Sequence, residues 1–400
     1  MKKIVLYMIL GSLLHADSFS EFITNAINQS HELEHKSFQI AGEKASVEYT
    51  TVWKNPEIEI GFDDRIDNSM DITSFEVSQQ LPSWRESSLV KSVTQAKLEK
   101  ALSLYKSSKQ SVMYDAAELY RKLYYQQELI NTLDTQIEEV KGLLGIAKSR
   151  KENGDLSGIV HDRIAINLHK LQASYENEKN HYLDLELQAK RILRSESIAI
   201  DSAIEHDSFF SKKMVQKSLK HPNLQVLESE LKRSKEEIAL AKSRAYASPE
   251  IFAYHEREAG AVSGVNQIYG AGFRMSIPIF DSKRLDIEKK KIEKLSTEHE
   301  LEYNTYLYEK EAQHYLKLYE QEELRLKNYD LNVLVNSKKL YEINKMLFSS
   351  GETSILEMLD AQELYFASEL QRNKIYSNYD RLFLELCQLN SIDLLKDRHE

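Results

Sequence analysis

The sequence contains few of the residues that end or weaken helices. Its 400 residues include 12 glycines and 5 prolines, and neither type occurs between Ile279 and Ser350. Because proline breaks helices and glycine weakens them, this stretch predicts one uninterrupted long helix. The single cysteine, Cys387, excludes a disulfide within the chain, and we interpret it as a small buried residue near the end of a helix.

Long apolar runs are equally scarce. After Asp17 no segment approaches about 18 consecutive apolar residues, so the chain beyond that point predicts no transmembrane helix. At the N-terminus, Lys2 and Lys3 precede an apolar run, residues 4–14, and then a small residue. This pattern predicts a secretory signal peptide over residues 1–16 and export of the remainder. A membrane anchor is the alternative, which we disfavour because about 11 apolar residues are too short to span roughly 30 Å of hydrocarbon.

Recognisable catalytic and metal-binding motifs are missing as well. The formal net charge of −10 disfavours a nucleic-acid partner, which would favour a basic face. No nucleotide-binding loop, nucleophile elbow or zinc-protease motif occurs. The 12 histidines are dispersed, and even His161 and His169 lack metal-ligand spacing. The sequence therefore predicts a protein that is not an enzyme and has neither a cofactor nor a metal site.

What the chain does contain is one layout repeated twice. Three landmarks recur with offsets of 193, 196 and 197 residues, in the pairs Pro56/Pro249, Pro82/Pro278 and Gly154/Gly351. Around each set the order is helix, proline, short strand, turn, short strand, proline, very long helix, glycine turn, helix. So long a period indicates a duplicated half-protein rather than a solenoid, whose repeats span roughly 20–50 residues. We therefore divide the exported chain into a first repeat, 17–210, and a second repeat, 211–400.

Both long helices predict a coiled-coil seam, because steps of four and three residues meet mostly apolar or aromatic side chains. The first seam comprises Leu98, Leu102, Tyr105, Lys109, Val112, Ala116, Leu119, Leu123, Gln126, Ile130, Leu133, Ile137, Val140, Leu144 and Ala147. The second repeats the part from Tyr105 to Ala147 with an offset of 196 residues and continues by one position, at Leu301, Thr305, Tyr308, Ala312, Tyr315, Tyr319, Glu322, Leu326, Tyr329, Val333, Asn336, Leu340, Ile343 and Leu347. Helices of about 70 residues would be on the order of 100 Å long, which suits a tunnel or a solvated hairpin stalk.

Two pairs of short strands with alternating polarity precede the long helices. Ile58, Ile60 and Phe62 alternate with mostly acidic residues, and Tyr269 and Phe273 alternate with glycines. Strands of about 9–11 residues cross a bilayer when tilted, although a soluble half-buried sheet has the same period. The upstream signal peptide and the position beside the long helices favour the membrane. Four strands cannot close a barrel and lipid does not tolerate open edges, so we expect three copies to supply twelve strands.

Three segments of the sequence resemble TolC-type outer-membrane efflux proteins. The stretch 348–362 reads as a glycine turn, small polar residues and then Glu-Met-Leu-Asp-Ala, as in the second helical tip of that family. Asn55-Pro56 and the segment 77–82 resemble its heavy-metal branch, the CzcC/CusC-like proteins. The resemblance covers essentially all of the exported chain. It implies a mainly α fold with a small β part, in which long antiparallel coiled-coil helices form a periplasmic tunnel and four strands per chain join a trimeric twelve-stranded outer-membrane β-barrel.

The same resemblance implies a function and its partners. A homotrimer in outer-membrane lipid would conduct passively what an inner-membrane pump, of the RND type, delivers through a periplasmic adaptor (membrane fusion) protein. Heavy-metal cations are the cargo that the branch suggests. Multidrug efflux and type I protein secretion are alternatives with the same fold. A periplasmic coiled-coil structural or adaptor protein is an alternative of another class.

The resemblance also places a periplasmic gate at Glu357, Asp360 and Phe348. Glu357 and Asp360 lie three residues apart and so share a helix face, and six such carboxylates in a trimer would attract cations. A second interpretation is structural, because Ser354-x-x-Glu357 is the pattern of a capping box. Adaptor docking is implied at the two tips, through Gly154, Leu156, Ser157, Gly351, Thr353 and Ser354.

Three tip positions depart from the family pattern. Phe348 lacks the tyrosine hydroxyl that would bond across the gate, and Thr353 stands where multidrug members can carry arginine. Val160 occupies a position at which an aspartate is often found, with Asp162 two residues further on. We therefore expect apolar tip packing or a different acid pair to hold the gate closed.

Overall fold

The computed structural model describes residues 18–50, 54–64, 71–81, 84–154, 156–195, 198, 200, 221–245, 249–260, 264–275 and 283–395. The predicted signal peptide and the boundary between the two repeats lie outside these ranges. In chain order the elements are α1 Ser18–Asn28, α2 His31–Tyr49, β1 Glu57–Asp64, β2 Asp71–Gln80, α3 Trp84–Glu152, α4 Gly158–Leu193, α5 Pro222–Ser243, β3 Pro249–Gly260, β4 Gly264–Met275, α6 Arg284–Asn328, a π-helical turn Tyr329–Leu334, α7 Val335–Ser350 and α8 Ile355–Leu389. The predicted combination of long helices and four strands is confirmed.

The described residues form two compact units, each built from both halves of the sequence. One unit comprises the described residues of Met1–Leu33, Ser108–His221 and Tyr306–Glu400. The other, the sheet unit, comprises those of Glu34–Ser107 and Pro222–Thr305. Each unit therefore takes one part of each long helix, and the duplicated halves are interleaved rather than placed side by side as separate domains.

The sheet unit contains one antiparallel sheet in the order β1-β2-β3-β4. Each strand pairs with its neighbour in sequence, for example Ile60 with Phe75 and Phe75 with His255. Ion pairs tie the beginning of α3 to α5, including Lys100 with Glu230 at 2.7 Å. Backbone pairing therefore orders the strands, and ion pairs between residues distant in the sequence hold the beginning of α3 to α5.

The other unit has two apolar clusters. The first surrounds Tyr120, whose ring meets Phe19 edge-on at 5.2 Å between centroids, and it includes the buried Cys387, as predicted. The second, which we term the tip cluster, joins α3, α4, α7 and α8 beside the two glycine turns. Its buried members are Ile137, Val140, Leu143, Ala147, Ile164, Leu168, Tyr341, Phe348, Ile355, Met358, Leu359, Tyr365 and Phe366.

The seam predicted for the first long helix is buried over most of its length. Every predicted position from Ala116 to Ala147 is buried except Leu144, which is half-buried, whereas Leu102 nearer the start is exposed. The 69-residue length of α3 also matches the prediction. The spacing of the buried positions and the length of α3 could both be predicted, because no residue interrupts the α-helical geometry.

The second long helix differs from its prediction in two respects. It begins at Arg284, and it is not one uninterrupted α-helix, because a π-helical turn separates α6 from α7. Before that turn the predicted seam is correct, with Ala312 and Tyr319 buried. After the turn the prediction is wrong by one residue.

In α7 the buried positions are Ser337, Tyr341 and Phe348, while the predicted positions Leu340 and Ile343 are each 44% exposed. A π-turn accommodates one extra residue in a helix, so every later side chain changes face. The sequence held a sign of this insertion. The landmark offset rises from 196 at the second proline to 197 at the glycine, so one residue must be added between them.

Candidate functional site at the helical tips

The turn between α7 and α8 is fixed by a glycine with a left-handed backbone. Gly351 has φ of 82°, a conformation that costs side-chain-bearing residues free energy. Its N–H donates to the Phe348 carbonyl at 3.1 Å, and the Glu352 N–H donates to the Leu347 carbonyl at 2.8 Å. These two bonds form the Schellman closure of a helix C-terminus. The predicted glycine turn is therefore present.

The start of α8 carries the predicted capping box. The Ser354 hydroxyl accepts from the Glu357 N–H at 3.3 Å, and the Glu357 carboxylate accepts from the Ser354 N–H at 3.2 Å. The Thr353 hydroxyl donates to the same carboxylate oxygen. These donors, the Thr353 hydroxyl first among them, hold the pKa of the Glu357 carboxyl below its usual value. Glu357 is thus ionised and directed back toward the turn.

The first turn, between α3 and α4, has a similar form. Gly154 has φ of 80°, and its N–H donates to the Lys151 carbonyl at 3.0 Å. Ser157 caps α4 by accepting from the Ile159 N–H at 3.4 Å. Leu156 is half-buried against the tip cluster. The predicted docking residues of this tip therefore surround one tight turn.

The three residues predicted to form a gate occupy two different environments. Asp360 and Glu357 are exposed on α8, whereas Phe348 is 2% exposed within the tip cluster. Val160 packs against the same cluster, so the position where an aspartate was expected contributes apolar surface. The structure brings the nine predicted tip residues into one unit, and within it the three predicted gate residues divide into an acidic surface, Glu357 and Asp360, and the buried Phe348.

One residue at the tip was missed by the sequence reasoning. Arg150, in the last turn of α3, donates through Nη1 to the Phe348 carbonyl at 3.0 Å. Its guanidinium carbon also lies 5.1 Å from the centre of the Phe348 ring. Arg150 therefore joins the first helical hairpin, formed by α3 and α4, to the turn of the second, formed by α7 and α8. In the sequence, the sign of this role was its place in the last turn of α3, where a basic side chain interacts favourably with the helix dipole.

A polar network lies just behind the tip cluster. The Tyr341 hydroxyl donates to Glu139 at 2.7 Å, and its ring stacks on Tyr365 with centroids 5.5 Å apart. Burial, followed by the hydrogen bond to Glu139, raises the pKa of Tyr341 above its usual value. The Tyr365 hydroxyl donates to Glu369 in turn. The Tyr341 hydroxyl therefore joins α7 to α3, and the stacked rings of Tyr341 and Tyr365 join α7 to α8.

The sheet unit presents a second surface of functional interest, with two chemically different faces. One face, which we term the apolar face, carries large exposed side chains: Ile58, Ile60, Phe62, Phe75, Ile251, Tyr269, Phe273 and Met275. Exposure reaches 81% at Phe62 and 71% at Tyr269. The opposite face carries Glu57, Glu59, Glu76, Glu250 and Arg274. The predicted alternation is correct for Ile58, Ile60 and Phe62 in β1 and for Tyr269 and Phe273 in β4. It is wrong for β3, where Phe252 and Tyr254 lie on the polar face and His255 and Arg257 lie on the apolar face.

Two aromatic rings lie flat over glycines on the polar face. A Cβ added to Gly270 would meet the Tyr254 ring at 2.3 Å, and one added to Gly272 would meet the Phe252 ring at 2.4 Å. Arg274 lies over Phe252, with its guanidinium carbon 4.7 Å from the ring centre, and donates to Glu76 at 2.8 Å. The alternating glycines of β4 therefore make room for rings from β3.

Two further findings concern the described residues alone. No group of three or more histidine, cysteine or acidic residues among them is placed to hold a metal ion. No helix in these ranges combines the length and apolarity needed to cross a bilayer.

Comparison with known proteins gives a clear result at the level of fold. No protein-family model and no curated protein sequence matches the chain. Solved structures do match: the outer-membrane channel OprN is similar with a TM-score of 0.78 at 13% identity, over 94% of this chain and 91% of OprN. The Campylobacter jejuni CmeC outer membrane channel has a TM-score of 0.77 at 14% identity, over 95% of this chain and 88% of CmeC.

Crystal structures of CusC, which concern the conformational changes that accompany its folding and transmembrane channel formation, are similar to this chain to the same degree. The TM-score is 0.77 at 12% identity, over 94% of this chain and 92% of CusC. At such identities the likeness establishes a shared fold. Since CusC matches no better than OprN or CmeC, the expected heavy-metal branch is not singled out.

Proposed function

We propose that this chain is the subunit of a trimeric outer-membrane channel, through which cargo passes passively after delivery by an inner-membrane pump and a periplasmic adaptor. The fold that it shares with OprN, CmeC and CusC over nearly the whole of each chain supports this proposal. The sequence signals for export agree with it. The subunit would perform no chemistry, and the pump would supply the energy.

The observation that carries the proposal is the apolar face of the sheet. Soluble proteins rarely expose so many large apolar side chains on one contiguous surface, because contact with water is unfavourable. Lipid would cover this face, and the acidic opposite face would line a water-filled lumen. Strands β1 and β4 are the edges of the sheet. Their unpaired backbone groups would be satisfied by neighbouring copies, and three copies give twelve strands.

The helical tips would form the gate and the docking surface for the adaptor. Asp360 is the acidic residue best placed to act on passing ions, because it is exposed while the Glu357 carboxylate is engaged in the helix cap. Phe348 would hold the tip closed through packing, and Arg150 would reinforce it. The two glycine turns with Leu156, Ser157, Thr353 and Ser354 would contact the adaptor.

Cell fractionation tests this function. The full-length gene product should appear in the outer-membrane fraction as a trimer that resists SDS and dissociates on heating. A variant with Phe62→Glu and Tyr269→Glu on the apolar face should lose that fraction. The matched variant Glu57→Gln with Glu59→Gln on the polar face should keep it. A soluble periplasmic monomer would overturn the proposal in favour of a structural or adaptor protein.

For the cargo, we propose heavy-metal cations, with drugs or a secreted protein as alternatives. The support is the resemblance of residues 55–56 and 77–82 to the metal branch and the acidic polar face of the sheet. A gene deletion should sensitise cells to zinc, cadmium, cobalt, copper or silver. Unchanged metal tolerance together with lost tolerance to bile salts and dyes would reassign the cargo to drugs.

A further inference from the structure

The end of the π-turn and the tip helix α7 together carry two stripes of mostly apolar side chains, displaced by one position. The inner stripe, buried or half-buried, comprises Leu334, Ser337, Tyr341, Asn344 and Phe348. The outer stripe, exposed except for the half-buried Leu347, comprises Val333, Asn336, Leu340, Ile343 and Leu347. The outer stripe has one polar member and the inner stripe has two. Apolar content by itself therefore does not favour burying the inner stripe.

The choice between the stripes is made at the π-turn Tyr329–Leu334. Upstream of it, the buried positions of α6 follow the register of α3 with an offset of 196, as at Ala312 and Tyr319. Downstream, the inner stripe follows the same register with an offset of 197. If the turn adopted α-helical geometry, the offset would stay at 196 and the outer stripe would occupy the seam.

A specific set of side chains holds the turn in its π form. Asp330, within the turn, accepts from Arg372 Nε and from the Tyr376 hydroxyl, each at 2.8 Å. Both donors are on α8, and the Arg372 guanidinium carbon lies 4.5 Å from the centre of the Tyr376 ring. We term this set the Asp330 clamp. The Asp330 carboxylate is the acceptor in both bonds, and a charged partner strengthens a hydrogen bond. The clamp therefore fixes the turn against α8.

The inner register also has an unfavourable feature. Gln362 is 0% exposed, and its side-chain amide lies against the Tyr341 hydroxyl without a hydrogen bond of good geometry. Gln136, also 0% exposed, leaves its carbonyl oxygen unpaired. Buried polar atoms without partners cost free energy, so the observed arrangement of the tip is not free of strain. This cost reduces the difference in free energy between the observed packing of the tip and any alternative packing.

We propose that the π-turn is a register switch for the tip. Conversion to α-helical geometry would rotate α7 by roughly 100° and shift it by about 1.5 Å along its axis, which is one residue of an α-helix. The outer stripe would then replace the inner one in the seam, and the exposed glycine turn at Gly351 would absorb the displacement. Packed helices with two discrete arrangements are suitable elements for such transitions.

The switch would change contacts at both hairpins together. In the second register Phe348 leaves Arg150, and Tyr341 leaves Glu139. Closing bonds at the end of α3 and behind the tip cluster would therefore break in one step. The inference rests on register, burial and the clamp, and it does not require that the protein conducts anything.

Thiol labelling of the full-length protein distinguishes the two registers. In a Cys387→Ala background, cysteine would be placed singly at Asn336, which is exposed, and at Ser337, which is 4% exposed. Ser337→Cys is nearly isosteric and should preserve the packing. In the observed register, the cysteine at 336 should react much faster with a water-soluble maleimide than the cysteine at 337.

Two further changes move the register in opposite directions. Asp330→Asn weakens the clamp, so we expect labelling at 337 to rise roughly tenfold and labelling at 336 to fall. Deleting Asn332 removes the extra residue, so that a continuous α-helix keeps the inner stripe in the seam. Added to Asp330→Asn, this deletion should restore the original ratio. Glu342→Gln, on the exposed face of α7, is the matched control and should leave the ratio unchanged.

The possible outcomes separate cleanly. An opposite change at the two positions, reversed by the deletion, supports the switch. Unchanged labelling in Asp330→Asn overturns it, as does a rise at both positions, which indicates local unfolding. Far-UV circular dichroism identifies a variant that fails to fold, and Arg372→Lys then provides a milder change to the same clamp. Labelling needs no transport activity. A result against the register switch can therefore be distinguished from a result against the proposed channel function.

Discussion

Arg150 Nη1 lies 3.0 Å from the carbonyl oxygen of Phe348 and thereby joins the end of one helical hairpin to the turn of the other. The same guanidinium covers the Phe348 ring, so one side chain makes a charge-assisted hydrogen bond and a cation–π contact. Phe348 is itself buried in the tip cluster. The contact therefore links helix-end electrostatics to apolar packing at the place where the two hairpins meet.

The first prediction concerns this pair. Arg150→Met should lower the free energy of unfolding by about 1–2 kcal/mol, because the Phe348 carbonyl loses a charged donor and the ring loses its cation. Arg150→Lys should fall in between, since an ammonium cannot reproduce the planar fork. Guanidinium unfolding followed by circular dichroism measures both. Lys148→Met, exposed on the same helix, is the control, and an equal effect at the two positions would remove Arg150 from the tip.

The second prediction uses the two glycine turns as a matched pair. Gly154→Ala and Gly351→Ala each place a side chain at a left-handed position, which should cost about 1 kcal/mol. The Cβ at 154 meets nothing within 4 Å, whereas the Cβ at 351 would lie 3.4 Å from Arg150 Nη2. Because 3.4 Å is an ordinary contact with the movable end of an arginine, the two variants should lose similar stability, and an Arg150→Met background should leave the loss at Gly351 unchanged. A clearly larger loss at Gly351 that disappears in that background would show that the guanidinium cannot move aside.

The third prediction is a pH dependence at the start of α8. The pKa of Glu357 is lowered in the folded state from its ordinary value of 4.5, so the ionised form stabilises the fold. That contribution is present above the ordinary pKa and is lost as the pH falls through the lowered value. Wild type should be more stable than Glu357→Gln at neutral pH, and the difference should shrink in acid. A difference independent of pH would show that the carboxylate charge has no part in the cap.

The fourth prediction separates the two acidic residues of the proposed gate. Because Glu357 is engaged in the cap and Asp360 is exposed, Asp360→Asn should weaken the block of single-channel current by divalent cations in planar bilayers. Glu363→Gln, exposed one turn further along α8, is the control and should leave the block unchanged. Unaltered block in Asp360→Asn, with channels still formed, would remove this residue from the gate while leaving the channel function intact.

Much of the fold was predictable because it depends on local chemistry. The alternation of Ile58, Ile60 and Phe62 with acids specifies a strand with two different faces. Glycines at 154 and 351 specify helix ends, since a left-handed residue is needed there. Ser354 and Glu357 specify a cap, because their spacing alone matches the capping box. In each instance the residues that determine the structure are close together in the sequence.

The tip itself was less predictable. Arg150 and Phe348 are 198 residues apart, and no periodicity relates a cation on one hairpin to a ring on the other. The seam of α7 was wrong for a related reason. Steps of four and three residues can be continued through any sequence rich in apolar residues, and Leu340 and Ile343 satisfied this pattern as well as Tyr341 did. The change of offset from 196 to 197 showed that a residue was inserted, but not where.

The sequence by itself determined the repeated layout, the length of the first long helix and the positions of the turns, because these follow from propensity and short-range hydrogen bonding. Only the tertiary structure decided which stripe of α7 is buried and how the hairpins are joined. Those outcomes depend on Asp330 meeting Arg372 and Tyr376 from another helix, and on Phe348 meeting Arg150. Contacts between distant segments select one packing from alternatives that local periodicity leaves nearly equal.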